Sequence, residues 1–286
     1  MRRVPASGEH PRERPVAVFD SGVGGLTVLH ELLVRLPHED FLYLGDTARF
    51  PYGERSADEL RAFAVEIADQ LLERGAKLLV AACNSATAAA LGTLQEHVRA
   101  ARGDIDVIGV VGPESVLAAA STRSGRIGLL ATPATVASGA YERAVGGADP
   151  HTRLTPVACP DLAPLIQSGF PFDEHVVEVV RGYCRPLRAA AVDTVILGCT
   201  HFPLVRPMLQ RALGPEVTLV TSGAAVARRV EHALAVRGLG ADRAGEGAYR
   251  FLCTGDVATF REIGSRVLQM PLGEVAHVPV PAGAPA

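Results

Sequence analysis

The feature that most restricts the fold of this chain is a regular alternation of short apolar runs with longer amphipathic ones. Nine runs have strand length: VAVF (16–19), FLYL (41–44), KLLVAA (77–82), DVIGVV (106–111), RIGLLA (126–131), LTPVA (154–158), TVILG (194–198), VTLV (217–220) and YRFLC (249–253). Helix-compatible stretches fall near 26–36, 57–74, 84–100, 134–145, 173–190, 204–213, 223–237 and 257–268. The clearest is 57–74, where Ser56 and Glu59 have capping-box spacing and Leu60, Phe63, Ala64, Ile67, Leu71 and Leu72 follow the helical repeat. Strand–helix alternation of this length predicts an α/β fold with largely parallel sheets. Nine strands in 286 residues fit two domains better than one sheet. Gly, Pro and Ser punctuate the pattern near 109–113 and 221–223. With seams there, the first domain comprises 1–108 plus 222–286 and the second 109–221. Residues 1 to about 14 and the closing PVPAGAPA read as flexible tails.

Composition narrows the chemistry. The chain carries 28 basic and 31 acidic residues, a net charge of −3, so no global positive field draws it to nucleic acid or to an anionic membrane. Lys77 is its single lysine. A pyridoxal-phosphate enzyme needs a lysine for its Schiff base, and a Walker-type loop needs one beside its glycines. Lys77 opens the run KLLVAA and has no such glycines around it. Cys83, Cys159, Cys184, Cys199 and Cys253 show no C-x-x-C or metal-ligand spacing. No apolar run reaches the roughly 18–20 residues of a membrane span, and none near the start has signal-peptide length. The expectation is a cytoplasmic protein with reduced thiols, without cofactor or metal.

Two segments share one plan. KLLVAA ends in Cys83-Asn84-Ser85 and TVILG in Cys199-Thr200-His201, each followed by a helix-compatible run. The carboxyl edge of a parallel sheet is where ligands bind. A helix N-terminus lowers a thiol's pKa, which predicts thiolate near neutral pH. His201 lies two positions from one of these cysteines and titrates near neutrality. Cys159, Cys184 and Cys253 read as ordinary buried cysteines. A third strand ends in Asp20-Ser21-Gly22-Val23-Gly24-Gly25-Leu26-Thr27. Thr27 occupies the third glycine position of a dinucleotide fingerprint, which argues against that motif. The glycines are expected instead to bring backbone close to a small anionic ligand, with Asp20 in the same cleft or serving as a helix cap. Gly45-Asp46 ends the second strand, and Pro51-Tyr52-Gly53 reads as a turn beyond it. Thr132 and Thr135 follow RIGLLA and read as caps or contacts.

Together, FDSGVGGLTV (19–28), YLGDTARFPYG (43–53), ACNSAT (82–87), ATPATVASGAY (131–141) and LGCTHFPLV (197–205) resemble the cofactor-independent aspartate/glutamate racemase family. The resemblance spans about residues 15 to 270. It implies two similar α/β domains facing each other across an active-site cleft, each supplying one cysteine. It further implies interconversion of L- and D-glutamate for peptidoglycan synthesis. Cys83 would deprotonate D-glutamate and Cys199 L-glutamate, assisted by Asp20 and His201 respectively. Two proton carriers, one per face, let forward and reverse reactions use the same groups. Asp20, Ser21, Tyr52, Gly53, Asn84, Ser85, Thr132, Thr135, Thr200 and His201 would bind the substrate. A homodimer is implied as well. One departure stands out: Gln167 occupies a position where many relatives have glutamate, and a glutamine carries no carboxyl proton. Within the same fold, aspartate or another amino acid is the alternative substrate. A non-catalytic amino-acid binder is the alternative from another class.

Overall fold

The computed structural model describes residues 10–103, 105–169 and 173–280. Its ten strands are β1 (Val16–Asp20), β2 (Phe41–Gly45), β3 (Leu78–Ala81), β4 (Asp106–Gly109), β5 (Arg126–Ala131), β6 (Arg153–Ala158), β7 (Thr194–Gly198), β8 (Thr218–Val220), β9 (Tyr249–Cys253) and β10 (Val275–His277). They form one sheet in the order β10-β9-β2-β1-β3-β4 and another in the order β6-β5-β7-β8. Every pairing is parallel. The chain leaves the first sheet after β4, builds the second, and returns to the first at β9. This is a two-domain α/β fold.

The apolar runs form strands because both faces of each sheet are covered by helices. Side chains alternate between those faces along a strand. Val16 and Val18 pack with Leu29 and Leu32 of the helix Leu26–Arg35 and with Val226 and Val230 of Ser222–Arg237. Ala17 and Phe19 face the other way, onto Phe63 and Ile67 of Ala57–Glu73 and Ala90 and Leu94 of Asn84–Arg102. In the second domain, Val195 and Leu197 meet Val180 and Leu187 of Glu174–Ala189, whereas Ile127, Leu129 and Ile196 meet Tyr141 and Val145 of Ala140–Ala148. The Ser56–Glu59 capping box forms as the spacing predicts.

Several elements differ from the sequence reading. DVIGVV is strand only through Gly109, and Val111–Ser121 is a helix packed on Ala140–Ala148 and β7. Pro113 marks its first turn, where a missing N–H removes no helical bond. The stretch near 134–145 splits into Pro133–Ala137 and Ala140–Ala148 at Gly139, whose φ of 63° is left-handed. The short helix Leu162–Gln167 and strand β10 were not anticipated. Part of the expected N-terminal tail is docked. Arg12 donates through Nε to the Gly238 carbonyl at 2.9 Å and accepts from Lys77 Nζ at 2.7 Å. Residues 1–9 and 281–286 of the two tails lie outside the described residues. No helix among the described residues is long and apolar enough to cross a membrane.

Candidate active site

Cys83 follows β3 and is the N-cap of the helix Asn84–Arg102; Cys199 follows β7 directly. Both line one narrow cavity between the domains. Ser21, Tyr52, Gly53, Asn84 and Ser85 join Cys83 on one side, and Thr132, Thr200 and His201 join Cys199 on the other. A wider hollow on the surface, bordered by Arg99, Ile105 and Arg237, contains neither cysteine.

Both thiols are buried, and burial decides their state. It pushes the Cys83 thiol up to about 12, with the nearby Asp20 carboxylate adding to the effect. Cys199 is pushed well above its ordinary value by burial, and the Asp20 carboxylate adds to the effect. Backbone N–H groups of Ala86 and His201 act in the opposite direction, as a helix start should. They do not outweigh desolvation. At neutral pH both groups are therefore thiols, which corrects the expectation of ready thiolate. The Cys83 sulfur lies 3.8 Å from Ser21 Oγ, and the Cys199 sulfur 3.9 Å from His201 Nδ1.

Asp20 does not line the cavity. It is fully buried behind it, accepting from the Gly22 N–H at 3.0 Å and from Thr200 Oγ1 at 3.2 Å. The second bond crosses between the domains. Gly24 serves the same approach between domains, and Gly25 lets the chain pass close to Asp20 within the first. A Cβ on Gly24 would stand 2.5 Å from both His201 Nδ1 and Thr200 Oγ1, and one on Gly25 would stand 2.4 Å from Asp20 Cβ. Thr27 closes the contact by donating to the Thr200 carbonyl at 3.2 Å.

Tyr52 contributes its ring and backbone to the wall, because its hydroxyl is committed to Asp46. Asp46 also accepts from Arg49 Nε at 2.7 Å and Thr254 Oγ1 at 2.7 Å. Arg49 reaches Glu66 at 2.5 Å and lies 4.1 Å above the Phe63 ring. Asp46 is thus a structural anchor for the Tyr52 turn. A Cβ on Gly53 would fall 2.8 Å from Thr132 Cβ, so that turn also touches the opposite domain. Ser85, Thr132 and Thr135 form a hydroxyl triangle with edges of 2.8, 3.2 and 2.9 Å. Thr135 is fully buried and supports Thr132 from behind, while Thr132 also caps the short helix that follows it.

The His201 ring packs on Phe50 with centroids 5.4 Å apart, and its Nε2 lies 2.6 Å from Gln167 Oε1. Burial lowers its pKa to about 4, so the imidazole is neutral at pH 7. A glutamine oxygen only accepts, so Nε2 carries the hydrogen and Nδ1 turns a lone pair toward Cys199.

The profile of the Asp/Glu/hydantoin racemases matches residues 28–249. The chain belongs to that family. It is 44% identical to the glutamate racemase of Parafrankia sp. over 269 residues, which is 94% of this chain and 95% of the relative. Among solved structures, glutamate racemase isoform RacE1 from Bacillus anthracis superposes with a TM-score of 0.87 at 36% identity, covering 95% of this chain and 98% of that one. The glutamate racemase of Francisella tularensis, solved with D-glutamate, gives 0.86 at 31% identity, covering 93% and 98%.

The cavity wall also includes residues with no polar signature. Phe50, Pro51, Pro160, Ala163 and Pro164 line it and were not anticipated. Glu114 and Tyr141, which hold Asn84 from outside the cavity, were not anticipated either. Glu114 lies in GVVGPE, whose Gly and Pro mask a helix start, and Tyr141 ended a resembling motif without a role attached to it.

Proposed function

We propose that this chain interconverts L- and D-glutamate by a two-thiol mechanism and supplies D-glutamate for peptidoglycan in the cytoplasm. The observation that carries the reading is that one cavity is lined by two cysteines from opposite domains. Three glutamate racemases that resemble the chain over nearly its full length support the choice of substrate. We assign residues 1–108 and 222–286 to the Cys83 domain and 109–221 to the Cys199 domain. A homodimer belongs to the same reading.

In the D-to-L direction Cys83 passes its thiol proton to the Asp20 carboxylate, whose charge reaches it. As thiolate it takes the α-hydrogen, and the Cys199 thiol returns a proton to the opposite face. Cys83 ends as thiol and Cys199 as thiolate, ready for the reverse reaction. A substrate ammonium about 4 Å from a thiolate is worth about 4 kcal/mol at an effective dielectric near 20, which corresponds to about 3 pKa units. The substrate's ammonium, placed nearer the sulfur than its two carboxylates, therefore offsets part of the burial that keeps the thiols protonated. Neutral His201, with its Nδ1 lone pair toward Cys199, is placed to receive and return that thiol's proton. Asp20 assists Cys83 from behind the cavity wall and anchors Thr200. Ser85 and Thr132 can turn a hydroxyl hydrogen out of their triangle to a carboxylate oxygen. The Thr200 hydroxyl stays committed to Asp20, leaving the backbone of Thr200 for the substrate. Lys77, the chain's single lysine, is tied to Glu39 at 2.5 Å and lies outside the cavity.

Proton NMR of D-glutamate in deuterated buffer tests the reading. The α-hydrogen should exchange and L-glutamate accumulate with wild-type protein; binding without exchange would identify a non-catalytic binder, and faster exchange of aspartate would reassign the substrate.

A further inference from the structure

Asn84 opens the helix that Cys83 caps, and it lines the cavity. Its amide is held from the second domain. Nδ2 donates to the Tyr141 hydroxyl at 2.7 Å and to Glu114 Oε2 at 3.3 Å, and the Tyr141 hydroxyl donates to the same Oε2 at 2.5 Å. Glu114 and Tyr141 are both fully buried. With the Tyr141 hydrogen on Glu114 Oε2, the triangle permits one orientation of the amide. Because Tyr141 gives its hydrogen to Glu114, its oxygen can only accept, and Asn84 must turn NH2 rather than C=O toward it. The amide oxygen is then left over: Asn84 Oδ1 is buried with no hydrogen-bond partner among the described residues. A buried acceptor of this kind costs stability unless a donor reaches it.

We infer that Glu114 is a positioning residue, fixing the Asn84 amide so that Oδ1 is the preformed acceptor for the α-ammonium group of the substrate. The inference deepens the glutamate reading and rests on it. Glu114 is outside the cavity and acts only through Asn84. Burial pushes its carboxyl up to about 8, so at neutral pH it holds a proton. With that proton on Oε1, the buried oxygen that has no partner among the described residues, Oε2 keeps both of its acceptor contacts. A neutral acid orients the amide without setting a second negative charge beside the thiols.

Glu114→Leu removes the acceptor. Tyr141 then donates to Asn84, the amide turns over, and NH2 faces the incoming ammonium. KM for D-glutamate should rise about ten-fold, with a smaller change in kcat, whereas Glu114→Gln, which keeps a carbonyl acceptor, should stay within about three-fold of wild type. The decisive comparison repeats Glu114→Leu in an Asn84→Ala background. If Glu114 works through Asn84, the added rise in KM disappears there. The same rise in both backgrounds overturns the inference. Tyr141→Phe, which deletes one hydroxyl from the triangle, repeats the cycle should the leucine variant fail to fold, with the same two outcomes. Wild-type protein that leaves glutamate unchanged counts against the proposed function, whereas an active wild type with independent effects counts against Glu114 alone.

Discussion

His201 Nε2 and Gln167 Oε1 are 2.6 Å apart, and this bond sets which nitrogen faces Cys199. The glutamine accepts and carries no charge, so nothing offsets the burial that lowers His201 to about 4. In Gln167→Glu a carboxylate would stand beside the ring and raise its pKa. An imidazolium cannot take a proton from Cys199. The acid limb of kcat/KM for L-glutamate should move to higher pH, and that for D-glutamate should move less. Superimposable pH profiles for wild type and variant in both directions would remove His201 from the proton path.

Cys83→Ser and Cys199→Ser should each lower kcat by at least about 100-fold, the scale of a lost acid–base group. Cys159→Ser and Cys253→Ser should retain activity, because those sulfurs donate to the Val157 and Gly255 carbonyls outside the cavity. Steady-state kinetics with both enantiomers reads this directly. Near-normal turnover by either of the first pair is incompatible with a two-thiol reaction.

Gly24→Ala tests how tightly the domains must meet. The new methyl group would stand 2.5 Å from His201 Nδ1 and Thr200 Oγ1, so the second domain has to move or His201 has to turn. Overpacking of this kind costs about 1–3 kcal/mol, and its effect falls on the proton-transfer geometry. A drop in kcat of about ten-fold or more is expected, with the circular-dichroism spectrum unchanged. Full activity would show that the cleft has slack at this contact.

Arg49→Ala should lower stability by about 3–5 kcal/mol, since it leaves buried Asp46 and half-buried Glu66 without their cation. Denaturant unfolding measures it. Because Tyr52 is anchored to the same Asp46, KM should rise alongside.

Stability should also be shaped by pH from two opposing sides. His201 has a folded pKa near 4 against 6.5 unfolded, so the unfolded chain binds the extra proton and stability falls as pH drops from about 6.5 to 4. Glu114 has a folded pKa near 8 against 4.5, so the folded chain keeps the extra proton and stability falls as pH rises from about 4.5 to 8. Glu114→Gln should flatten the alkaline side of a melting-temperature profile and leave the acid side in place. An unchanged alkaline slope would assign it to other groups.

The sequence by itself determined the α/β class, most strand and helix positions, and the polar residues at the strand ends. These are local properties. A run buried on both faces must be apolar, a helix must repeat every 3.6 residues, and a ligand edge must hold polar side chains just past a strand. Ordered motifs then implied which two cysteines belong together. Only the tertiary structure decided what each polar group is committed to. It turned the Tyr52 hydroxyl to Asp46, withdrew Asp20 behind Thr200, and made Gly24 a contact between domains. It also supplied Glu114 and Tyr141 as the support of Asn84, from segments 30 and 57 residues away along the chain. The thiols' protonation was decided there as well. A helix start lowers a pKa and burial raises it, and only the packed structure says how much water is left at the sulfur.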